Sequence, residues 1–468
     1  MTVSQTSAQQ TTPPNTPGSP GSPGSPGSLG LNADADTPAS ATLRMNEAVA
    51  ARRATGQRTI HLGFGEANLP LPRRLREELA HAATRTEYAP VLGLPALRAA
   101  IATYLGRTRA LNATPATVIV GPGSKPLLYA LLHALAGDVL LPTPSWVSYA
   151  PQARLAGKRV FPVATDASDC HRLTGDALDA ALQTAHTSGG DPRILVINTP
   201  SNPTGAMFAS EDAETIARWA RDHGFTILSD EIYAELAHGW RSHVSPAQFY
   251  PEGTIVTGGM SKAFSAGGWR LGYAALPATE AGTRLLAAAR ALASELWSSA
   301  ATPIQQAAVA AFAFDGEMER YVRRSARIHA HAASRLHAAL VAAGAICPRP
   351  AGAFYLYPDF APWRAQLATR GVTTSTELAN HLLERWDIAT LPASDFGEAP
   401  ETLRLRLATS LLYAPADATD AARETILSDL LEQADALPTG DETRLLDLPA
   451  LDEAAARLAE FTSSLGSV

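Results

Sequence analysis

Short apolar runs closed by polar or turn residues alternate with longer amphipathic stretches along most of this chain. Seven runs are too short for helices and rich in Val, Ile, Leu and Thr. They are 117–121 (TVIVG), 138–142 (DVLLP), 159–163 (RVFPV), 193–198 (RILVIN), 225–230 (FTILSD), 254–258 (TIVTG) and 272–276 (GYAAL). That pattern predicts strands, and the stretches between most of them, such as 125–135, 174–185 and 211–222, predict helices. Strands alternating with helices imply an α/β fold with a mostly parallel sheet, seven-stranded here, between helical layers. In such a sheet, functional residues belong just past the carboxyl ends of the strands.

Around this core, ATLRMNEAVAARRATG (41–56) predicts a helix with Leu43, Val49 and Ala50 at helical spacing and Gly56 as its stop. An Ala/Arg-rich helical region spans 280 to about 343, and GAFYLYPDF through RLRLATS reads as a smaller α+β domain. Residues 451–465 predict a closing amphipathic helix, and the polar stretch 414–450 carries no clear element. The expected division is a Pro/Gly/Ser-rich disordered tail over 1–40, an N-terminal part of the small domain over 41–85, a large domain over 86–325 and a C-terminal small domain over 326–468.

Composition narrows the function. Charged residues make up 18% of the chain, net charge is −7, and no Lys/Arg block forms a basic stripe, so nucleic acid is not an expected partner. Apolar runs are broken by Arg, Asp, His or Pro, and no leader-like segment opens the chain; a cytoplasmic protein with no membrane span is expected. Cys170 and Cys347 stand far apart, and the histidines show no ligand spacing, so no metal is expected.

Only three of the 38 basic Lys and Arg residues are lysine: Lys125, Lys158 and Lys262. An ammonium can lose its proton and attack a carbonyl carbon, whereas a guanidinium cannot, so Lys262 in TGGMSKAFSAGGWRLGY is a candidate nucleophile. Other strand ends carry complementary groups. Gly123-Ser124-Lys125 opens a helix and suits a phosphate. Asp230 suits a ring nitrogen that must stay protonated. Asn202 and Tyr233 suit a phenolic oxygen, and Trp146 suits a ring face. Taken singly, Asp230 equally suits a helix N-cap, Asn202 a turn and Trp146 the core. Together they fit the aldehyde cofactor pyridoxal 5′-phosphate, captured as a Schiff base.

The motifs HLGFGEANLPLP (61–72), EYAPVLGLPALRAAI (87–101), PSWVSY (144–149), NTPSNPTG (198–205), SDEIY (229–233), GGMSKAFSAGGWRLGY (258–273), GAFYLYP (352–358) and RLRLATS (404–410) occur in this order. On them the chain resembles fold-type I pyridoxal-phosphate enzymes of the class I/II aminotransferase family, the aspartate aminotransferase-like group. The resemblance implies that Lys262, Asp230 and Tyr233 are catalytic, and that Gly123, Ser124, Lys125, Trp146, Asn202, Ser261 and Arg270 bind cofactor. It implies a homodimer in which Tyr88 reaches the neighbouring site's phosphate. Gly65, Trp146, Asn202 and Arg404 would bind substrate, Arg404 forking onto a carboxylate. The implied reaction moves an amino group from an L-amino acid to a 2-oxo acid by a ping-pong route through a Lys262 aldimine. Elimination, replacement or cyclisation at Cβ or Cγ is the alternative on the same cofactor, and a non-enzymatic sensor is a further one.

Three departures stand out. Arg406 occupies a position where the family usually has a small residue, and it shares a strand face with Arg404. Ala67-Asn68-Leu69 replaces the usual Pro-Asp-Phe, and Gly259 stands where many relatives have a phosphate-binding serine.

Overall fold

The chain is described by a computed structural model over residues 39–239, 242–437 and 446–466. The tail expected over 1–40 lies outside these residues except for its last two, and part of 414–450 lies outside them too.

The helices α1 (Ala41–Ala54), α2 (Arg73–Ala82) and α3 (Pro95–Arg109), with the short strand β1 (Ile60–His61), precede the main sheet. That sheet contains β2 (Val118–Gly121), β3 (Asp138–Thr143), β4 (Val160–Ala164), β5 (Pro192–Asn198), β6 (Thr226–Asp230), β7 (Thr254–Gly259) and β8 (Gly272–Ala275), in the order β2-β8-β7-β6-β5-β3-β4. All seven correspond to the runs read from the sequence. Neighbours from β4 to β7 pair parallel, and β8 pairs antiparallel with both β2 and β7. Ile194–Ile197 of β5 and Ile227–Asp230 of β6 are buried in succession, as central strands covered on both faces require.

The connecting helices are α4 (Ser124–Ala134), α5 (Tyr149–Leu155), α6 (Gly175–Thr187) and α7 (Ser210–Asp222). The Ala-rich region becomes α8 (Glu280–Leu296), α9 (Thr302–Ala313) and the 27-residue α10 (Gly316–Ala342). Beyond α10, β9 (Tyr355–Leu356), β10 (Ile388–Ala389), β11 (Leu391–Pro392) and β12 (Leu405–Ala408) form two small sheets: antiparallel β11-β12-β9, and β10 parallel to β1. The chain's N-terminal segment thus completes a sheet begun by its C-terminal third. The unassigned stretch includes a helix at Asp420–Gln433, and the closing helix is Pro449–Leu465. No helix among the described residues is long and apolar enough to cross a membrane.

Of the apolar positions expected to bury α1, only Val49 does so; Leu43 is 49% exposed and Ala50 is exposed. Leu43 instead stands at the rim of a cavity, which α1 borders with Ser40 and Thr42.

Register is what assembles the site. Asn198 at the end of β5 pairs with Asp230 at the end of β6, and Asp230 pairs with Thr257 of β7. Because β8 runs against its neighbours, Arg270, which precedes it, arrives at the same sheet edge as the residues that leave β2, β3, β5, β6 and β7.

Candidate active site

A cavity of about 420 Å³ opens at this edge. Its wall includes Ser124, Lys125, Trp146, Asn202, Asp230, Tyr233, Ser261, Lys262, Arg270 and Gly65, so ten of the expected residues converge from six segments of the chain.

Lys262 follows β7, and its Nζ donates to the carbonyl oxygen of Gly65 at 2.6 Å. Burial lowers the pKa of this lysine to about 8; Glu66 pulls it up, while Arg406 and Arg270 push it down. An amine so placed is neutral in a usable fraction near physiological pH, as a nucleophile or base requires.

Asp230 is buried, with Tyr149 Oη donating to its Oδ2 at 2.8 Å and Thr257 Oγ1 donating to its Oδ1 at 3.2 Å. Burial raises its pKa to about 6, against the pull of those two donors. The next residue, Glu231, is buried and accepts from Arg109 Nε (2.9 Å), Ser229 Oγ (3.0 Å) and Ser245 Oγ (2.5 Å), and it pairs with His243 Nε2 at 3.1 Å. Burial alone would raise that carboxyl, but His243, Arg109 and Ser245 outweigh it and hold it at about 2. Arg109 also pairs with Glu235 at 2.7 Å. This buried charged cluster clamps the segment from 230 to 236 from behind, so the side chains of Asp230 and Tyr233 are presented on a fixed backbone.

Gly123 adopts φ 94° as the N-cap of α4, and a Cβ there would strike the guanidinium of Arg270. The glycine lets Arg270 lie against the helix start, beside its unpaired N–H groups. Lys125 Nζ lies 5.0 Å from the Trp146 ring centroid. Burial lowers the Lys125 pKa, and nearby Arg270 adds to the effect. Tyr233 Oη is 2.7 Å from Tyr355 Oη, and Ala67 is buried in the same apolar cluster as the two tyrosines. The Ala67-Asn68-Leu69 departure is therefore partly structural: Ala67 and Leu69 are both buried.

The structure corrects the arginine assignment. Arg404 does not line the cavity. Its Nη1 pairs with Glu398 at 2.6 Å and its Nε with Asp359 at 3.0 Å. Arg406 is the one in the wall, 1% exposed, with its guanidinium 5.0 Å from the Tyr355 ring centroid and Nη1 3.5 Å from Asn202 Oδ1. Its Nη2 donates to the Gly63 carbonyl oxygen. With Arg404 drawn away by two carboxylates, Arg406 is the arginine that this stretch offers to the cavity. Serine at 259 is excluded on steric grounds: a Cβ there would lie 2.7 Å from the Leu271 carbonyl oxygen and 3.0 Å from Gly272 Cα. Tyr88 does not line the cavity of its own chain and is 89% exposed.

Sequence reasoning did not single out Tyr149, Tyr355, Glu66, Ser40 or Thr42, all of which border the cavity, and it placed Leu43 on a buried helix face rather than at the cavity. Tyr149 stands three residues after Trp146, its N–H donating to the Trp146 carbonyl oxygen across the turn that opens α5, and that spacing was the available signal. Tyr355 lies within the GAFYLYP motif.

The donor set fits pyridoxal 5′-phosphate. Ser124, Lys125 and Arg270 cluster at a helix start, a buried carboxylate stands across from them, an indole forms one wall, and a lysine amine faces the space between. The cations Lys125, Lys262, Arg270 and Arg406 outnumber the carboxylates Asp230 and Glu66 around the wall, as anionic ligands require.

Comparison with known proteins agrees. The family described as Aminotransferase class I and II matches residues 58–411. The chain is 36% identical over 396 residues to an aspartate aminotransferase of Geobacillus stearothermophilus, covering 83% of this chain and 95% of the relative. It is 32% identical to an aspartate/prephenate aminotransferase of Thermus thermophilus, covering 79% and 92%. Among solved structures, Thermus thermophilus aspartate aminotransferase with maleate superposes with a TM-score of 0.74 at 30% identity, covering 88% of this chain and all of that one. With its α/β architecture, its converging strand ends and these likenesses, the chain belongs to the class I and II aminotransferase family, whose members are pyridoxal-phosphate-dependent enzymes.

Proposed function

We propose that this enzyme moves the amino group of a dicarboxylic L-amino acid such as aspartate to a 2-oxo acid, in two half-reactions at one cavity and as a homodimer. The observation that carries the reading is the convergence of Lys262, Asp230 and Arg406 on one space, with the lysine's pKa lowered to about 8, chiefly by burial.

Bound pyridoxal 5′-phosphate supplies an aldehyde that accepts an amine and a cationic ring that stabilises negative charge at the neighbouring carbon. Ser124, Lys125, Ser261 and Arg270 would hold its phosphate, Asp230 its ring nitrogen, Trp146 a ring face, and Asn202 and Tyr233 its phenolic oxygen. Lys262 Nζ would be the amine that holds the aldehyde until the substrate's own amine takes its place. Arg406 forks onto the substrate α-carboxylate beside Asn202, which fixes how the Cα–H bond is oriented. Lys262 Nζ, in its neutral form, would hold the proton taken from the substrate Cα and give it up two atoms further along, at the carbon that had carried the aldehyde. Gly65, whose carbonyl oxygen receives the lysine's hydrogen bond at 2.6 Å, gives the amine a resting position. Lys125, beside Trp146 at the cavity edge, suits a second, distal carboxylate. The relatives named as aspartate aminotransferases support that substrate class. Tyr88, exposed on the single chain, suits contact with a second subunit's phosphate site.

The test is borohydride trapping of the purified protein followed by peptide mapping, together with an amino-acid panel assayed against 2-oxoglutarate. Label on Lys262 and stoichiometric glutamate from aspartate are expected. Ammonia or a cyclised product without glutamate would refute transamination in favour of chemistry at Cβ or Cγ.

A further inference from the structure

We propose that Tyr149 is a positioning residue that keeps the Asp230 carboxylate ionised and aimed at the cofactor's ring nitrogen; this rests on the functional reading above. Tyr149 opens α5 and is 2% exposed. Its single hydroxyl proton is directed to Asp230 Oδ2 at 2.8 Å, while Thr257 serves Oδ1 at 3.2 Å. Burial and the nearby Asp230 charge hold the phenol well above its ordinary pKa, so it stays a donor throughout the working range. Its ring also packs edge-on against Trp146, with centroids 5.0 Å apart and planes at 79°. One side chain therefore braces both the indole wall and the carboxylate.

The physical need is specific. A buried carboxylate tends to take up a proton, and here Glu231 adds a like charge on the adjacent residue. One proton is shared between Asp230 and the ring nitrogen, and every donor to the carboxylate biases it toward the nitrogen, where it makes the ring an electron sink. The groups that face Asp230 are Tyr149 of α5, Thr257 of β7, Glu231 and Tyr233 of its own segment, Tyr273 of β8 and Lys262. Tyr149 and Thr257 are the two side chains that donate hydrogen bonds to it.

The experiment uses the holoenzyme reconstituted with pyridoxal phosphate labelled with ¹⁵N at the ring. In the wild type the nitrogen signal should be that of a protonated ring. Tyr149→Phe should move it toward the unprotonated position and lower kcat about tenfold, with the KM for aspartate changed less than about twofold. Thr257→Val should give a smaller shift in the same direction, and it carries the test if Tyr149→Phe fails to fold. An unmoved nitrogen signal in both folded variants would overturn the proposal, even if activity fell, because packing alone would then explain the loss. Wild-type protein that takes up no labelled cofactor would sink the functional reading as well, and so separates the two failures.

Discussion

Arg404 and Arg406 differ by two positions, the first just ahead of β12 and the second within it, yet they have different surroundings, and substitution separates them. Arg406 is buried in the cavity wall with Asn202 and the Gly63 carbonyl oxygen as protein partners. On the proposed function, Arg406→Ala would remove a fork of two charge-assisted hydrogen bonds to the substrate carboxylate. At about 1.5–3 kcal/mol for each such bond, the loss is about 3–6 kcal/mol, or roughly a 10²- to 10⁴-fold drop in kcat/KM. Arg406→Lys should recover only part of this, because an ammonium carries the charge without the planar fork. Arg404, held by Asp359 and Glu398, has a side chain 21% exposed. Arg404→Ala should leave kcat/KM within about threefold while lowering stability by about 1–2 kcal/mol, since two carboxylates lose their partner. The assay is steady-state kinetics with aspartate and 2-oxoglutarate, paired with urea unfolding and with the affinity for an unreactive dicarboxylate. A large rise in KM in Arg404→Ala, with Arg406→Ala near wild type, would refute the assignment.

Three further outcomes are expected. Cofactor-free protein should lose stability as pH falls from 7 to 5. Burial lowers the pKa of His61 and His171 to about 4 and of His329 to about 3, so from pH 6.5 downward the unfolded chain binds protons that the folded chain refuses. Asp230, with its pKa raised to about 6, takes up its proton first in the folded state and offsets about one of the three. The net loss is roughly 4 kcal/mol by urea unfolding at the two pH values, and equal or greater stability at pH 5 would contradict it. Gly259→Ser should not tighten cofactor binding and should lower the melting temperature by several degrees, because its Cβ meets the backbone of β8. Tighter binding in an equilibrium dialysis assay would argue for a phosphate hydroxyl at that position. Tyr88→Ala and Lys262→Ala should each be nearly inactive, and refolding them together should restore about a quarter of the sites if Tyr88 serves a partner's cavity, a fraction that follows from random pairing of closed two-fold dimers. Absence of complementation would place Tyr88's effect within its own chain.

The main sheet was readable because each of its strands is a short apolar run closed by a polar or turn residue, and the first chemistry past each run was readable for the same reason. Asn202, Asp230 and Lys262 needed only the rule that sites form at strand ends. Arg404 rather than Arg406 was expected at the cavity because period-2 alternation puts both on one face, and local pattern holds nothing to choose between them. The choice is made by partners distant in sequence, Asp359 and Glu398 for one and Gly63 and Asn202 for the other. Leu43 misled because an apolar residue at helical spacing can border a cavity as readily as it fills a core. Tyr149 was passed over because its role depends on a hydrogen bond to a residue 81 positions away.

The hydrogen bond from Arg406 to the Gly63 carbonyl oxygen joins residues 343 positions apart. On a ribosome, the groups suited to the cofactor, from Ser124 to Arg270, emerge well before Arg406, the arginine proposed for the substrate carboxylate. A chain in synthesis therefore completes its vitamin-holding groups first and its substrate clamp last, once the C-terminal third has folded back onto the earliest residues. Truncation near residue 400 would remove Arg406 together with β12 and the two closing helices that pack into the core, while the groups from Ser124 to Arg270 would remain in the chain.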